Sequence, residues 1–181
     1  VLPPVTMTAA QITKTPVQNV ETIYTPTGTV GYMTFNDHIL PAEGQLVSAF
    51  TQLKSQGVND LVLDVRYNGG GYLYIASQIG YMIAGSARTS GKTFERLQYS
   101  DKRTADTNDP ANDTPFYNVA SGIANTGTTE NAPLPILNLG RVYVLASPGT
   151  CSASEAVVNG LRGVGVEVIL VGGTTWGKPY G

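Results

Sequence analysis

Three short segments hold the residue types that could do chemistry. Asn68-Gly69-Gly70-Gly71 follows an apolar run. Consecutive glycines let a backbone approach a ligand closely and aim amide N–H groups at it, which suits an oxyanion or a phosphate. The segment spells neither a P-loop nor a dinucleotide-binding turn, since no Lys-Ser or Lys-Thr follows at the required offset and G-x-G-x-x-G spacing is absent. Plain turn chemistry accounts for the glycines equally well, with Asp64 and Arg66 pairing with each other or capping the loop. Thr150-Cys151-Ser152-Ala153-Ser154-Glu155 lies where a strand should give way to a helix. A helix N-terminus there would stabilise negative charge on a carbonyl oxygen under attack, so a serine at that point suits acyl transfer. The same residues spell a capping box, Ser152 with Glu155 three positions on, which needs no catalysis. Lys178 closes the third segment, Gly172-Gly173-Thr174-Thr175-Trp176-Gly177-Lys178, and is one of five lysines. Burial disfavours an ammonium's charged form and turns a lysine into a general base, whereas a solvated surface lysine is the ordinary case. The competing base is the single imidazole, His38, which precedes Ser152 on a different element.

Composition narrows the classes. One His and one Cys, Cys151, exclude a zinc site built from several such ligands and any internal disulfide. Of 181 residues, 41% are hydrophobic and 13% charged, which supports one packed domain. Lys+Arg 11 against Asp+Glu 13 leave a formal net charge of −2, so no basic field awaits a phosphate backbone and no nucleic-acid partner is expected. No run approaches the roughly 18 to 20 apolar residues of a membrane-spanning helix, so no integral membrane segment is expected. Val1 is not an initiator Met and no signal-peptide pattern follows it, which reads as a segment cut from a longer precursor. Few lysines with many Thr, Asn and Gly suit an exported bacterial protein, periplasmic or associated with the cell envelope.

The elements that must position these residues follow from periodicity. Residues 1–28 read as extended and turn-rich, because Pro3, Pro4, Pro16 and Pro26 exclude a long helix; strands are expected at 5–8 and 20–24. A β-rich run over 30–35 ends at Asn36-Asp37. Leu46, Val47, Phe50 and Leu53 fall at helical spacing, with Gly57 at the C-terminal cap. Residues 61–65 form a nearly all-apolar run, as expected of a parallel strand covered on both faces. Ile75, Ile79, Met82 and Ile83 predict a helix over 72–85. Residues 86–139 are the least regular, with a strand at 93–99 and a polar stretch over 101–113, and read as an insertion or exposed loop. A strand over 141–146, a helix over 152–161 and a strand over 166–171 complete an α/β pattern with a largely parallel inner sheet.

Taken together, the segments Leu63-Asp64-Val65-Arg66-Tyr67-Asn68-Gly69-Gly70-Gly71, Thr150 to Glu155 and Gly172 to Lys178 resemble, in family order, the carboxyl-terminal (tail-specific) processing proteases, peptidase family S41. The resemblance implies an α/β, ClpP/crotonase-like core with a mainly parallel sheet and flanking helices, covering residues 29–181 apart from the unmatched 86–139. It implies a serine endopeptidase with Ser152 as nucleophile and Lys178 as general base. The oxyanion hole would come from the amide of Ala153 and that of Gly70, with Gly71 as the alternative; Ser154 would be structural. No cofactor and no metal are implied, and the substrates would be polypeptides with unstructured C-terminal tails. Members often carry a PDZ domain as well, of which residues 1–28 would hold at most the end, its last strand at 5–12. A polar residue that orients the lysine lies, in many members, beyond the position where this sequence stops. Cys151 reads as a small packing residue. The competing expectation is a catalytically inactive peptide-binding or scaffolding domain of the same fold. A crotonase-like acyl-CoA enzyme is disfavoured by the Ser-Ala-Ser-Glu and Gly-Lys blocks. A ClpP-like Ser/His/Asp protease is excluded, because no His follows Ser152.

Overall fold

The computed structural model describes residues 3, 5–123 and 126–179. Among the described residues seven strands run in chain order: β1 (Val17–Thr25), β2 (Gly28–Phe35), β3 (Asp60–Asp64), β4 (Thr93–Arg96), β5 (Asp113–Pro115), β6 (Arg141–Ala146) and β7 (Glu167–Gly172). The α-helices are α1 (Ala42–Ser55), α2 (Leu73–Ala84), the single turns α3 (Ser86–Thr89) and α4 (Thr104–Thr107), and α5 (Ala153–Gly163). A five-stranded sheet has the order β1-β2-β3-β6-β7. Only the β1–β2 hairpin is antiparallel; β2–β3, β3–β6 and β6–β7 are parallel, each step crossing over through a helix-bearing connection. The mainly parallel α/β expectation therefore holds.

Apolar alternation explains the core. Met33 and Phe35 of β2, Leu61 and Leu63 of β3, and Val142 and Val144 of β6 are all buried. Against them lie Leu46, Phe50 and Leu53 of α1, Ile75, Ile79 and Ile83 of α2, and Val157 and Leu161 of α5, each at the three- or four-residue spacing of one helical face. Gly57 takes the left-handed φ of 62° just past α1, where a side chain would be strained.

Two regions differ from the expectation. Residues 5–15 form no strand, and Val5, Met7 and Ile12 are 80%, 87% and 85% exposed; extended chain becomes a strand only beside a neighbour, and nothing among the described residues pairs with it. The segment 86–139 is not merely an exposed loop. Its β4 and β5 pair as a two-stranded sheet, and Phe94 meets Phe116 edge-on with ring centroids 5.2 Å apart. Both rings sit against Gly80 of α2, and Phe94 also occupies the space that Gly160 of α5 leaves open. A further strut fixes residues 119–128: the buried Glu43 carboxylate accepts from Gln78 Nε2 (2.7 Å), Ser121 N (2.7 Å), Ser121 Oγ (3.0 Å) and the Thr128 hydroxyl. Only the polar stretch within 101–113 remains largely at the surface, as expected.

Candidate functional site

Because β3 and β6 are adjacent and parallel, the turns that follow them meet at one edge of the sheet, where open α/β sheets bind their ligands. Thr150 ties the two ends: it is buried, and its hydroxyl donates to Val65 O at 2.7 Å and accepts from Ser147 N at 3.0 Å.

The turn after β3 is organised by Asn68. Its carboxamide oxygen accepts from Gly70 N at 3.0 Å, its Nδ2 donates to Phe35 O at 2.9 Å, and its carbonyl accepts from Cys151 N (3.2 Å) and Ser154 Oγ (3.1 Å). Gly70 and Gly71 have φ of 102° and 133°, a region that side chains strain. A Cβ on Gly70 would stand 2.7 Å from Ser152 Cβ and 3.0 Å from Ala153 N, so the glycine backbone packs directly on the serine turn. The Gly70 carbonyl accepts from His38 N at 3.1 Å. A trans peptide points its C=O and N–H in opposite directions, so the Gly71 N–H faces away from His38. That N–H meets no acceptor among the described residues, whereas the Gly70 N–H is taken by Asn68.

The turn after β6 puts Ser152 at the N-cap of α5 with φ 55° and ψ −118°, an uncommon conformation for a residue with a side chain. Such strain is found where a fold over-determines a functional group. Ala153 opens the helix with its N–H unclaimed by any described acceptor, beside Gly70. Ser154 is buried, and its hydroxyl serves the Asn68 carbonyl. Cys151 is a free, half-buried thiol.

Glu155 extends the predicted capping box into a clamp. Its carboxylate accepts from Ser152 N (2.8 Å), Gly177 N (2.6 Å) and Lys178 N (3.1 Å), and from the Thr175 hydroxyl. Burial works to raise its pKa, but these four donors outweigh it and hold the carboxyl below its ordinary value. Trp176 N donates to Thr150 O at 2.9 Å. The half-buried Lys178 is thereby carried by a segment fastened to the same turn as Ser152, on main-chain bonds 2.8 and 3.1 Å from one oxygen, Glu155 Oε2.

His38 is wholly buried beside the glycine turn, with Nδ1 3.0 Å from Asn68 Oδ1 and no partner for Nε2 among the described residues. Burial pushes its pKa down to about 4. The lone imidazole thus folds close to the turns, yet its contact is Asn68 rather than the serine. Asp64, buried at the end of β3, is held by Nε and Nη2 of Arg66 (2.9 and 2.6 Å) and by the Tyr32 hydroxyl (2.9 Å), so the two flanking charges do pair. The described residues hold no cluster of three or more His, Cys, Asp or Glu fit for a metal ion, and no helix long and apolar enough to cross a membrane. Sequence reasoning missed the Asn68 hub and the clamping role of Glu155; the capping box marked Glu155, but its bonds to residues 175–178 have no local signature.

The sequence profile of peptidase family S41 matches residues 27–180. Among solved structures, a Bacteroides fragilis protein assigned to the S41 proteases shares 31% identity over 92% of this chain and 41% of its own, with a TM-score of 0.72. A photosystem II D1 C-terminal processing protease shares 23% identity over 92% of this chain and 38% of its own, with a TM-score of 0.59, a likeness of fold. The chain therefore spans about two fifths of the length of either structure. No protein of curated function matches it.

Proposed function

The chain belongs to peptidase family S41, and on that premise we propose that it is the catalytic part of a serine endopeptidase that cleaves peptide bonds near flexible C-terminal tails, with Ser152 as nucleophile and Lys178 as general base. The observation that carries this reading is the shared clamp: one carboxylate, Glu155, holds the main chain of both residues. Lys178 Nζ takes the Ser152 hydroxyl proton, and Oγ attacks the carbonyl carbon of the scissile bond. The tetrahedral oxyanion lies against the Ala153 N–H and an amide of the glycine turn. The Gly71 N–H is the unclaimed one; the Gly70 N–H would have to exchange Asn68 for the oxyanion. Collapse returns the proton through Lys178 to the leaving amine and leaves an acyl ester on Ser152. Water, deprotonated by Lys178, then hydrolyses the ester and frees the serine. Substrate capture by a PDZ domain and an exported, cell-envelope setting belong to the same reading, the second supported by the scarcity of lysine.

A fluorophosphonate probe on the full-length protein, beside hydrolysis of an unstructured peptide, tests the assignment. Labelling is expected at Ser152, and Ser152→Ala and Lys178→Ala should each abolish hydrolysis; turnover surviving in either variant rejects the dyad, and absent labelling with intact peptide binding favours a scaffolding domain.

A further inference from the structure

The lone histidine is conspicuous for what it lacks. It is fully buried, its Nε2 has no partner among the described residues, and its ring lies edge-on to Phe35 with centroids 4.6 Å apart. An unsatisfied buried nitrogen costs free energy, so the other nitrogen's bond must matter or the position would be apolar.

That bond has a defined direction. Asn68 Nδ2 donates to the Phe35 carbonyl, which fixes the amide with its oxygen toward His38 and Gly70. The oxygen can only accept, so the imidazole must carry its proton on Nδ1 and leave Nε2 bare. The main chain of His38 completes the arrangement: its N–H donates to Gly70 O at 3.1 Å, and its carbonyl accepts from Tyr72 N at 2.8 Å. The peptide between Gly70 and Gly71 is thus gripped through its carbonyl by His38, and the peptide just before it through the Gly70 N–H by the His38-bound Asn68. Glycines supply no rigidity of their own, so the orientation of the Gly71 N–H must come from these bonds.

We propose that His38 is a positioning residue of this site: its neutral, Nδ1-protonated imidazole holds the Asn68 carboxamide, and through it the Gly70–Gly71 peptide, in the orientation that offers an amide to the oxyanion. It neither touches the substrate nor transfers a proton. The proposal rests on the peptidase reading above and assigns the histidine a part in it other than that of a base.

Two measurements on the full-length protein test it. The His38 imidazole nitrogens are assigned by NMR of a ¹⁵N-labelled sample as the signals that disappear in His38→Phe. The expected result at neutral pH is the neutral Nδ1–H tautomer with a proton slow to exchange; an Nε2–H tautomer or an imidazolium overturns the proposal whatever the variants do. The second compares His38→Phe with His38→Asn. Phenylalanine fills the buried space without a donor, while asparagine keeps an N–H donor the same number of bonds from the main chain and leaves a void. If the donor positions the turn, His38→Phe loses about tenfold in kcat at unchanged KM, and His38→Asn, although less stable to heat, recovers most of it. A His38→Phe enzyme within about twofold of wild type, or rates that follow the order of thermal stability, overturn it. Fluorophosphonate labelling of the wild type at Ser152 separates the two failures, since its absence rejects the peptidase reading and leaves the tautomer to be judged by itself.

Discussion

The turn after β3 and the turn after β6 meet where Gly70 packs on Ser152, yet they are held by different chemistry. The first has three consecutive glycines and is fixed by neutral groups, the Asn68 carboxamide and the His38 imidazole. The second places strain on a residue with a side chain, Ser152, and is fixed by an ionised carboxylate that collects four donors. On the proposed assignment, the difference follows from the charge each turn would face. An anionic holder beside the glycine amides would oppose an oxyanion, so the holder there must be neutral. A carboxylate is tolerable at the serine turn because its charge is consumed by N–H and O–H donors of the segment that carries Lys178, and such charge-assisted bonds are the stronger kind.

Breaking the contact between the turns should have the largest effect. In Gly70→Ala the new Cβ would lie 2.7 Å from Ser152 Cβ and 2.9 Å from Cys151 O at a φ of 102°. The turns must separate, displacing the proposed oxyanion donors. A fall in kcat/KM of about a hundredfold or more is expected, as for losing an oxyanion donor. Gly69→Ala is the internal control, since a Cβ there meets nothing within 4 Å. It should keep kcat/KM within about twofold. Equal losses in both variants would show that glycine content, not the Gly70–Ser152 contact, is what matters.

Removing the charge from the second clamp should cost less. Glu155→Gln keeps one acceptor oxygen but turns the other into a donor facing N–H groups, and about a tenfold loss in kcat is expected from loosened positioning. Trp176 lies in the clamped segment, so the fluorescence anisotropy that is lost on Trp176→Phe reports the clamp. Because the folded-state pKa of Glu155 is depressed, the clamp is complete above the ordinary glutamate value of about 4.3 and is lost as the pH falls through the lower folded value. Wild-type anisotropy should drop in that acid range, while Glu155→Gln should show the low value already at neutral pH. A wild type and variant with the same anisotropy at neutral pH would remove Glu155 from the comparison.

The two turns also differ in how far the sequence announced them. Strand, glycines and helix in succession, and Ser152 followed three residues later by Glu155, are local patterns, and they located both turns and the helix N-terminus correctly. The holders were not legible. Asn68 reads as an ordinary turn residue, and its tie to His38 spans 30 positions. Glu155 reads as a cap, while its bond to Lys178 N spans 23. Segment 86–139 misled for the same reason: Phe94 looks like an isolated aromatic until Gly80 and Gly160 are brought together beneath it by the packing of α2 on α5. Periodicity specifies which face of an element is buried, but a hydrogen bond between distant polar residues leaves no period.

A third polar hub, remote in sequence from both turns, sharpens the comparison at its weak end. Glu43 collects as many donors as Glu155, from Gln78, Ser121 and Thr128, but it anchors residues 119–128 to α1 and α2 and touches neither strand end. Burial works to raise its pKa and the hydrogen bonds from Thr128, Ser121 and Gln78 outweigh it, so its contribution to stability is also present above the ordinary glutamate value and lost on acidification. Glu43→Ala would leave the Ser121 N–H without its acceptor and the Gln78 amide with only the Val119 carbonyl, at a cost of about 3 kcal/mol to unfolding free energy. Glu43→Gln should recover part of it, because the Ser121 and Thr128 hydroxyls can rotate to accept from the new NH₂. In both variants kcat of the folded fraction should stay within about twofold of wild type. Denaturant unfolding read beside initial rates decides the matter. A kcat loss in Glu43→Gln as large as that in Glu155→Gln would mean that carboxylate hubs anywhere in this fold tune the site, and that the charge beside Ser152 owes its effect to rigidity alone rather than to the residues it joins.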